Sequence, residues 1–278
     1  MSESDKPKEV KFRINRSVSR SLMYFQNTST TEDPNRMLIR NVPKPVALPI
    51  PPPHLMEYQE SEQIHLNSGL RMSLKIRKSL VENDIEMAEF SNVLEFGCSN
   101  SRVLRNFEDL AKSNSYYGCD INANTIIWNI ENLSPPFSYF VNTTLPSLPL
   151  RDGFLDFVYA CSVFTHMDDM FFTWLMEMKR IVRKDGYLFL TFLNEPSIQF
   201  GLDNPNYPVG KQIAANRELI DDLLAGKHNM VVIHRDSYSM TYIRHAFLKD
   251  HLFSMFDIVA VVEQTMARHQ TGFLLKNR

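Results

Sequence analysis

A doubly wound α/β fold, with a mostly parallel seven-stranded sheet that ends in an antiparallel hairpin and an N-terminal helical cap, is predicted by three observations. Strand-like and helix-like patterns alternate from residue 93 to residue 192. The run Val-Leu-Glu-Phe-Gly-Cys-Ser-Asn-Ser-Arg at 93–102 ends an apolar strand on an acid and turns through small residues towards a helix. A second acid, Asp120, closes the next strand-like run twenty-five positions after Glu95. Finally, the strand-like runs at 256–262 and 272–276 stand too close for a crossover helix, so they can pair only antiparallel.

The elements follow in order. Residues 1–50 carry nine Lys or Arg against five Asp or Glu, and are rich in Ser, Thr and Asn, the composition of a disordered leader. Six prolines between Val42 and Pro53 remove amide donors and favour extended backbone, so that stretch reads as a linker. Residues 51–90 are expected to form the cap: Leu55, Met56, Ile64, Leu66, Leu70, Leu74, Ile76 and Leu80 fit one or two amphipathic helices. Residues 91–278 form the main domain. Strands are expected at 93–96, 115–119, 137–141, 155–160 and 186–192, and helices at about 101–112, 122–132 and 169–183. Further helices are expected at 211–226 and at 239–253, the latter capped by Ser239.

The chain has 278 residues, 44% of them hydrophobic, and a net charge of −2. That suffices for one large domain with an appendage. No apolar run reaches the ~18 residues of a membrane span, and the first thirty residues lack a signal-peptide core. The expected location is cytoplasmic. Cys98, Cys119 and Cys161 show neither disulfide nor zinc spacing and read as reduced, buried fillers, so no metal is expected.

The motifs at Glu95-Phe-Gly97-Cys-Ser99-Asn-Ser101-Arg102, Tyr117-Gly118-Cys119-Asp120-Ile121 and Leu148 to Ala160 come first. Ser162-Val-Phe-Thr-His166 and the Glu177 to Gly186 turn follow in the same order. Together they resemble the class I, Rossmann-like S-adenosylmethionine-dependent methyltransferases over roughly residues 51–276. The resemblance implies S-adenosyl-L-methionine as cofactor. Gly97 would let the backbone approach its amino-acid end, Glu95 would receive its ammonium, and Asp120 its ribose hydroxyls. Asn142 would meet the adenine amino group, Ile121 and Leu145 would sandwich the ring, Ser162 and nearby backbone would line the methionine moiety, and Ser99 would also contact the cofactor.

Structural roles compete at these positions. Glu95 and Asp120 also suit helix capping, and Asn142 suits the turn before Pro146. Ser99 and Ser101 stand where the family usually has glycine, so a positive φ at either would cost on the order of 1 kcal/mol. His166, on the rim after the fourth strand, is the candidate catalytic base, with loop orientation as its alternative. Asn194, Glu195, His269 and Gln270 lie on the same rim, while Tyr58, Glu62 and His65 of the cap could meet a substrate.

The reaction expected from the resemblance is methyl transfer to a hydroxyl or amine of a small-molecule, sugar or lipid-linked acceptor, with no nucleic-acid partner. Ala160-Cys-Ser-Val163 replaces the Asn-Pro-Pro-Tyr type of segment that holds nucleobase or glutamine amides, and paired magnesium-binding acids are missing there. The alternative is a non-catalytic interaction module on the same fold. A nicotinamide dehydrogenase is disfavoured by the missing third glycine and by the terminal hairpin.

Overall fold

The computed structural model of the chain describes residues 13–14, 23–24, 48–56, 61–168, 170–234, 239–265 and 269–278. The expected leader thus falls outside the described residues, apart from a two-residue antiparallel pairing of β1 (Arg13–Ile14) with β2 (Met23–Tyr24) and the chain from Leu48 onward.

Seven strands form the central sheet: β3 (Asn92–Phe96), β4 (Ser115–Asp120), β5 (Phe137–Val141), β6 (Leu155–Ala160), β7 (Val182–Phe192), β10 (Phe256–Val262) and β11 (Thr271–Asn277). Their order is β10-β11-β7-β6-β3-β4-β5. All neighbours are parallel except β11, which runs antiparallel to both β7 and β10. The chain winds one way from β3 to β5 and the other way from β6 onward. A crevice therefore opens beyond the carboxyl ends of β3 and β6, where the winding reverses.

Helices cover both faces, which is why the inner strands are apolar throughout rather than alternating. On one face Leu94, Val158 and Leu190 meet Trp174 and Met178 of α4 (Phe171–Ile181) and Leu248 and Leu252 of α8 (His245–Met255). On the other, Val93, Phe157 and Tyr159 meet Ile76 and Leu80 of α1 (Glu62–Val81) and Ile126 and Ile130 of α3 (Ala123–Leu133). Each such fully buried aliphatic or aromatic side chain contributes about 1.5–3 kcal/mol relative to exposure.

The Leu148 to Gly186 motifs hold this frame. Glu177 accepts from the Leu148 amide at 2.6 Å, and Arg180 donates to Glu177, to Asp152 and to the Leu148 and Leu150 carbonyls. The loop before β6 is thereby stapled to α4.

Several elements differ from the sequence expectation. The helix expected at 101–112 is a 3-10 turn, Leu104–Phe107, followed by the single turn α2 (Glu108–Ala111). In α1 the buried face is His65, Gly69, Met72, Ser73, Ile76, Ser79 and Leu80, while Leu70 and Leu74 face outward, so packing selects a face offset from the one drawn by aliphatic residues. The small residues Gly69, Ser73 and Ser79 let α1 lie close to the sheet layer.

The chain between β7 and α8 departs most. It holds α5 (Glu195–Asp203), α6 (Pro208–Ala215), α7 (Arg217–Leu224) and an antiparallel pair, β8 (Met230–His234) with β9 (Ser239–Ile243). Ser239 does not cap a helix: it begins β9, and α8 starts only at His245. β-branched and aromatic residues in Ser-Met-Thr-Tyr-Ile favour the strand, and β8 supplies the partner. The helix expected at 211–226 is split at Asn216 into α6 and α7. The insertion has its own core of Ile198, Val209, Ile213, Ile220, Leu223, Val231, Ile233 and Tyr242, which joins the main sheet through Leu193 and a bridge from Leu193 to Tyr242.

A Cβ on Gly69 would stand 2.0 Å from the Arg102 carbonyl oxygen, so α1 touches the loop after β3 through bare backbone. Gly69→Ala is expected to destabilise the protein by about 1–3 kcal/mol through overpacking, despite the higher helix propensity of alanine. A denaturant melt showing an alanine variant as stable as the parent would contradict this docking.

Candidate functional site

The turn after β3 is built by hydrogen bonds to β4. The Gly97 and Cys98 amides both donate to the Cys119 carbonyl at 2.9 Å. The Asp120 carboxylate accepts from the Ser99 amide through one oxygen and from the Asn122 amide through the other, each at 2.8 Å. From α3, Asn129 donates to the Ser99 carbonyl at 2.7 Å. Capping both turns does not by itself bar a carboxylate, with its about four acceptor positions, from accepting from a ligand as well.

Both serines of the turn adopt the left-handed conformation, with φ of 44° at Ser99 and 59° at Ser101, and Gly97 has φ of 74°. A side chain on Gly97 would collide with Val163 at 2.3 Å. The strain at Ser101 is partly offset by its hydroxyl, which donates to the buried Tyr139 hydroxyl at 2.9 Å. Ser162, on the facing strand end, is also left-handed with φ of 61°. Positive φ at three serines around one crevice is the kind of backbone strain that functional sites hold.

Glu95 lies almost wholly buried, accepting from the Leu104 amide at 2.9 Å and from the Tyr159 hydroxyl at 3.3 Å. Burial pushes its carboxyl up to about 8, against the opposing pull of nearby Arg102. Of its two expected roles, it makes the capping contact to the 3-10 turn at Leu104. At the far end of the cradle, the Asn142 amide donates to the Asp120 carbonyl at 3.1 Å, and its side-chain nitrogen donates to the Thr143 carbonyl. The buried Asn142 Oδ1 has no hydrogen-bond partner. Ile121, after β4, and Leu145, three residues beyond Asn142, are 41% and 55% exposed, two aliphatic side chains left in solvent.

The opposite half of the rim is held by a second network. The Ser162 amide donates to Thr191 Oγ1 at 2.8 Å, and its hydroxyl accepts from Gln270 Nε2 at 2.7 Å. Thr271 donates to Asn194 Oδ1 at 2.8 Å, and Glu195 accepts from the His245 amide at the start of α8. Glu195 thus caps a helix, with an oxygen fixed by backbone. His166, four residues beyond Ser162, faces the Ser239 carbonyl of β9 through Nδ1 at 2.8 Å. A carbonyl can only accept, so Nδ1 carries the proton of that contact.

The cap closes over the turn. Asn100 donates to the Leu55 carbonyl, and Arg105 donates to the carbonyls of Leu48 and Pro49. His65 is fully buried, and burial with the neighbouring Arg105 and Arg102 lowers it to about 4, so it is neutral at pH 7. Tyr58 lies outside the described residues, and Glu62 sits exposed in the first turn of α1.

Tyr159, Asn129 and Thr191 were not singled out in the sequence. A signal existed for two of them: Asn129 interrupts the apolar face of an amphipathic helix, and Thr191 interrupts an apolar strand. The three cysteines are buried, and burial raises each thiol above its ordinary value. Among the described residues, no cluster of His, Cys, Asp or Glu is arranged to hold a metal ion, and no helix is long and apolar enough to cross a membrane. A cavity of about 320 Å³ lined by Asp84, Arg183, Asp185 and Lys276 lies at the amino-terminal end of β7, away from this rim.

Residues 94–190 match a family model described as a methyltransferase domain. No curated protein matches the chain in sequence. Among solved structures, a SAM-dependent methyltransferase from Methanosarcina mazei superposes with a TM-score of 0.51 at 16% identity, covering 71% of this chain and 96% of its own. A putative S-adenosylmethionine-dependent methyltransferase from Listeria monocytogenes gives 0.51 at 11% identity, covering 77% and 99%. The magnesium protoporphyrin IX methyltransferase of Synechocystis, solved with bound SAH, gives 0.50 at 12% identity over 79% and 89%. At these identities the likeness is one of fold.

Ser99→Gly removes a left-handed serine whose hydroxyl does not stabilise the turn, and is expected to stabilise the protein by up to about 1 kcal/mol. Ser101→Gly loses the bond to Tyr139 as well, so it is expected to gain nothing or to destabilise. Urea melts showing equal gains for the two variants would contradict this assignment of strain.

Proposed function

We propose that this chain, whose residues 94–190 match a methyltransferase-domain model on a class I, Rossmann-like fold, transfers a methyl group from S-adenosyl-L-methionine to a hydroxyl or amine of a small-molecule, sugar or lipid-linked acceptor. The observation that carries the reading is the unsatisfied Asn142 Oδ1 just beyond β5, on the strand that pairs with the one ending at Asp120. An amide oxygen without a donor there suits the amino group of an adenine, with exposed Ile121 and Leu145 near in sequence to pack on its faces, and Asp120 stands where ribose hydroxyls would donate.

In this reading Asn142, Ile121 and Leu145 hold the base and Asp120 the ribose. Gly97 and Ser99 provide close backbone along the amino-acid end, with Glu95 beneath it and Ser162 on the facing side. The bound cofactor supplies a methyl already activated on a sulfonium. What remains for the residues is to align the acceptor, exclude water and remove a proton. His166, on the rim four residues beyond Ser162, takes the proton that the hydroxyl or amine gives up. The opposing reading, a non-catalytic module, is favoured by one observation, the strained serines where glycines would be relaxed.

The test is transfer. Protein incubated with methyl-labelled S-adenosylmethionine and fractionated cell extract should label a discrete fraction. Asp120→Ala should abolish the labelling, and His166→Gln should slow it by about 10²–10⁴-fold without weakening cofactor binding. No labelled fraction from any extract would favour the non-catalytic module.

Glu95 gives a second, independent prediction. Its folded-state value of about 8 lies above the ordinary carboxylate value of 4.5, so the site is protonated at pH 7, and the stability tied to that proton is lost as pH rises from 4.5 through 8. A ligand ammonium placed nearby lowers that value and expels the proton. Titrating S-adenosylhomocysteine at pH 7 in buffers of different ionisation enthalpy should therefore report release of up to about one proton, absent in Glu95→Gln. Heats independent of buffer in the parent protein would remove Glu95 from the ammonium site.

A further inference from the structure

The functional residues divide along the sheet. Glu95, Asp120 and Asn142 follow β3, β4 and β5, the half that holds the proposed adenosine. Ser162 follows β6 in the middle, and the network of Thr191, Asn194, Thr271 and Gln270 occupies the β7 and β11 half.

In that second half Gln270 is 5% exposed. Its nitrogen is spent on the Ser162 hydroxyl, while its Oε1 is buried with no hydrogen-bond partner. A buried amide oxygen left unsatisfied is costly, and in a working site it marks the place of a ligand donor. Directly before it, the His269 ring stacks on Phe200 of α5, with centroids 5.5 Å apart and planes at 29°. Tyr207 meets the same phenyl edge-on at 5.6 Å and is 47% exposed. The unpartnered oxygen thus belongs to the residue next to His269, whose ring forms a contiguous aromatic wall with Phe200 and Tyr207 of the insertion.

We propose that Gln270 and the wall formed by Phe200, His269 and Tyr207 are the acceptor subsite, and that the acceptor is a planar ring bearing a hydroxyl or amine. The Gln270 carbonyl takes a hydrogen bond from that group and holds it beside Ser162, while the ring packs on the aromatic side chains. Gln270 is then the specificity-determining residue, because an acceptor without the donor leaves its oxygen unpaired. The assignment rests on the methyltransferase reading for its orientation, with the cofactor in the β3 to β5 half.

The full-length protein saturated with S-adenosylhomocysteine provides the test, using three probes in saturation-transfer NMR. These are 2-naphthol, 2-methoxynaphthalene, which has the rings but no donor, and methyl β-D-glucopyranoside, which has hydroxyls but no flat ring. The expected result is binding of 2-naphthol about tenfold or more tighter than 2-methoxynaphthalene. In Gln270→Met the ratio should fall to near one with S-adenosylhomocysteine affinity unchanged. Phe200→Leu should weaken both naphthalenes together and keep their ratio, which carries the test should the Gln270 variant fold poorly. A ratio near one in the parent, a ratio retained in Gln270→Met, or binding of the glucoside in preference to 2-naphthol would overturn the proposal. So would loss of S-adenosylhomocysteine affinity in Gln270→Met, which would put this oxygen on the cofactor. Failure of the parent to bind S-adenosylhomocysteine at all would overturn the methyltransferase reading, and this subsite with it.

Discussion

The Asp120 carboxylate caps two turns at once, and the geometry of the crevice depends on it. One oxygen holds the Ser99 amide of the turn after β3, and the other holds the Asn122 amide at the start of α3. Those turns border the point at which the sheet reverses its winding, where backbone leaves both strands and no ladder satisfies its amides. A single half-buried acid therefore ties the turns beyond β3 and β4 together. Asn129 reinforces it from below by holding the Ser99 carbonyl. The positive φ values at Ser99 and Ser101 persist because these bonds over-determine the turn.

Capping and ligand binding are often weighed as rival explanations of an acid at a strand end, yet at Asp120 they are compatible. A carboxylate has about four acceptor positions, and backbone uses two. Glu95 is different. Its contacts to Leu104 and Tyr159 and its deep burial make it a protonated structural acid until a cation arrives. The two motif acids thus differ: Asp120 is half-buried and held by two backbone amides, whereas Glu95 is fully buried and needs a ligand charge to ionise.

The central sheet was legible because its strands are continuous apolar runs and its crossovers are of ordinary length. The antiparallel ending followed from the short spacing between its last two runs. The insertion between β7 and α8 was not legible. Its helices are only eight or nine residues long, and β8 and β9 are stabilised by each other and by a small core drawn from distant positions, so local periodicity says little about them. The face of α1 was misread for a related reason: Gly69 and Ser73 pack more closely than Leu70 and Leu74 could, and contact distance decided over hydrophobicity. At the site, the acids and small residues could be found from spacing. Their partners could not, since Gln270 and Ser162 stand 108 residues apart and meet only through the antiparallel return of β11.

The central claim is that a cradle with serines at two strained positions still binds its cofactor. The most direct measurement is the dissociation constant of S-adenosylhomocysteine by equilibrium dialysis, for the parent protein, Ser99→Gly and Asp120→Ala. The account predicts saturable one-site binding by the parent, retained binding by Ser99→Gly, whose strain is already present in the unliganded turn, and none by Asp120→Ala. Saturable binding that survives in Asp120→Ala, or its absence from both the parent and Ser99→Gly, would contradict it.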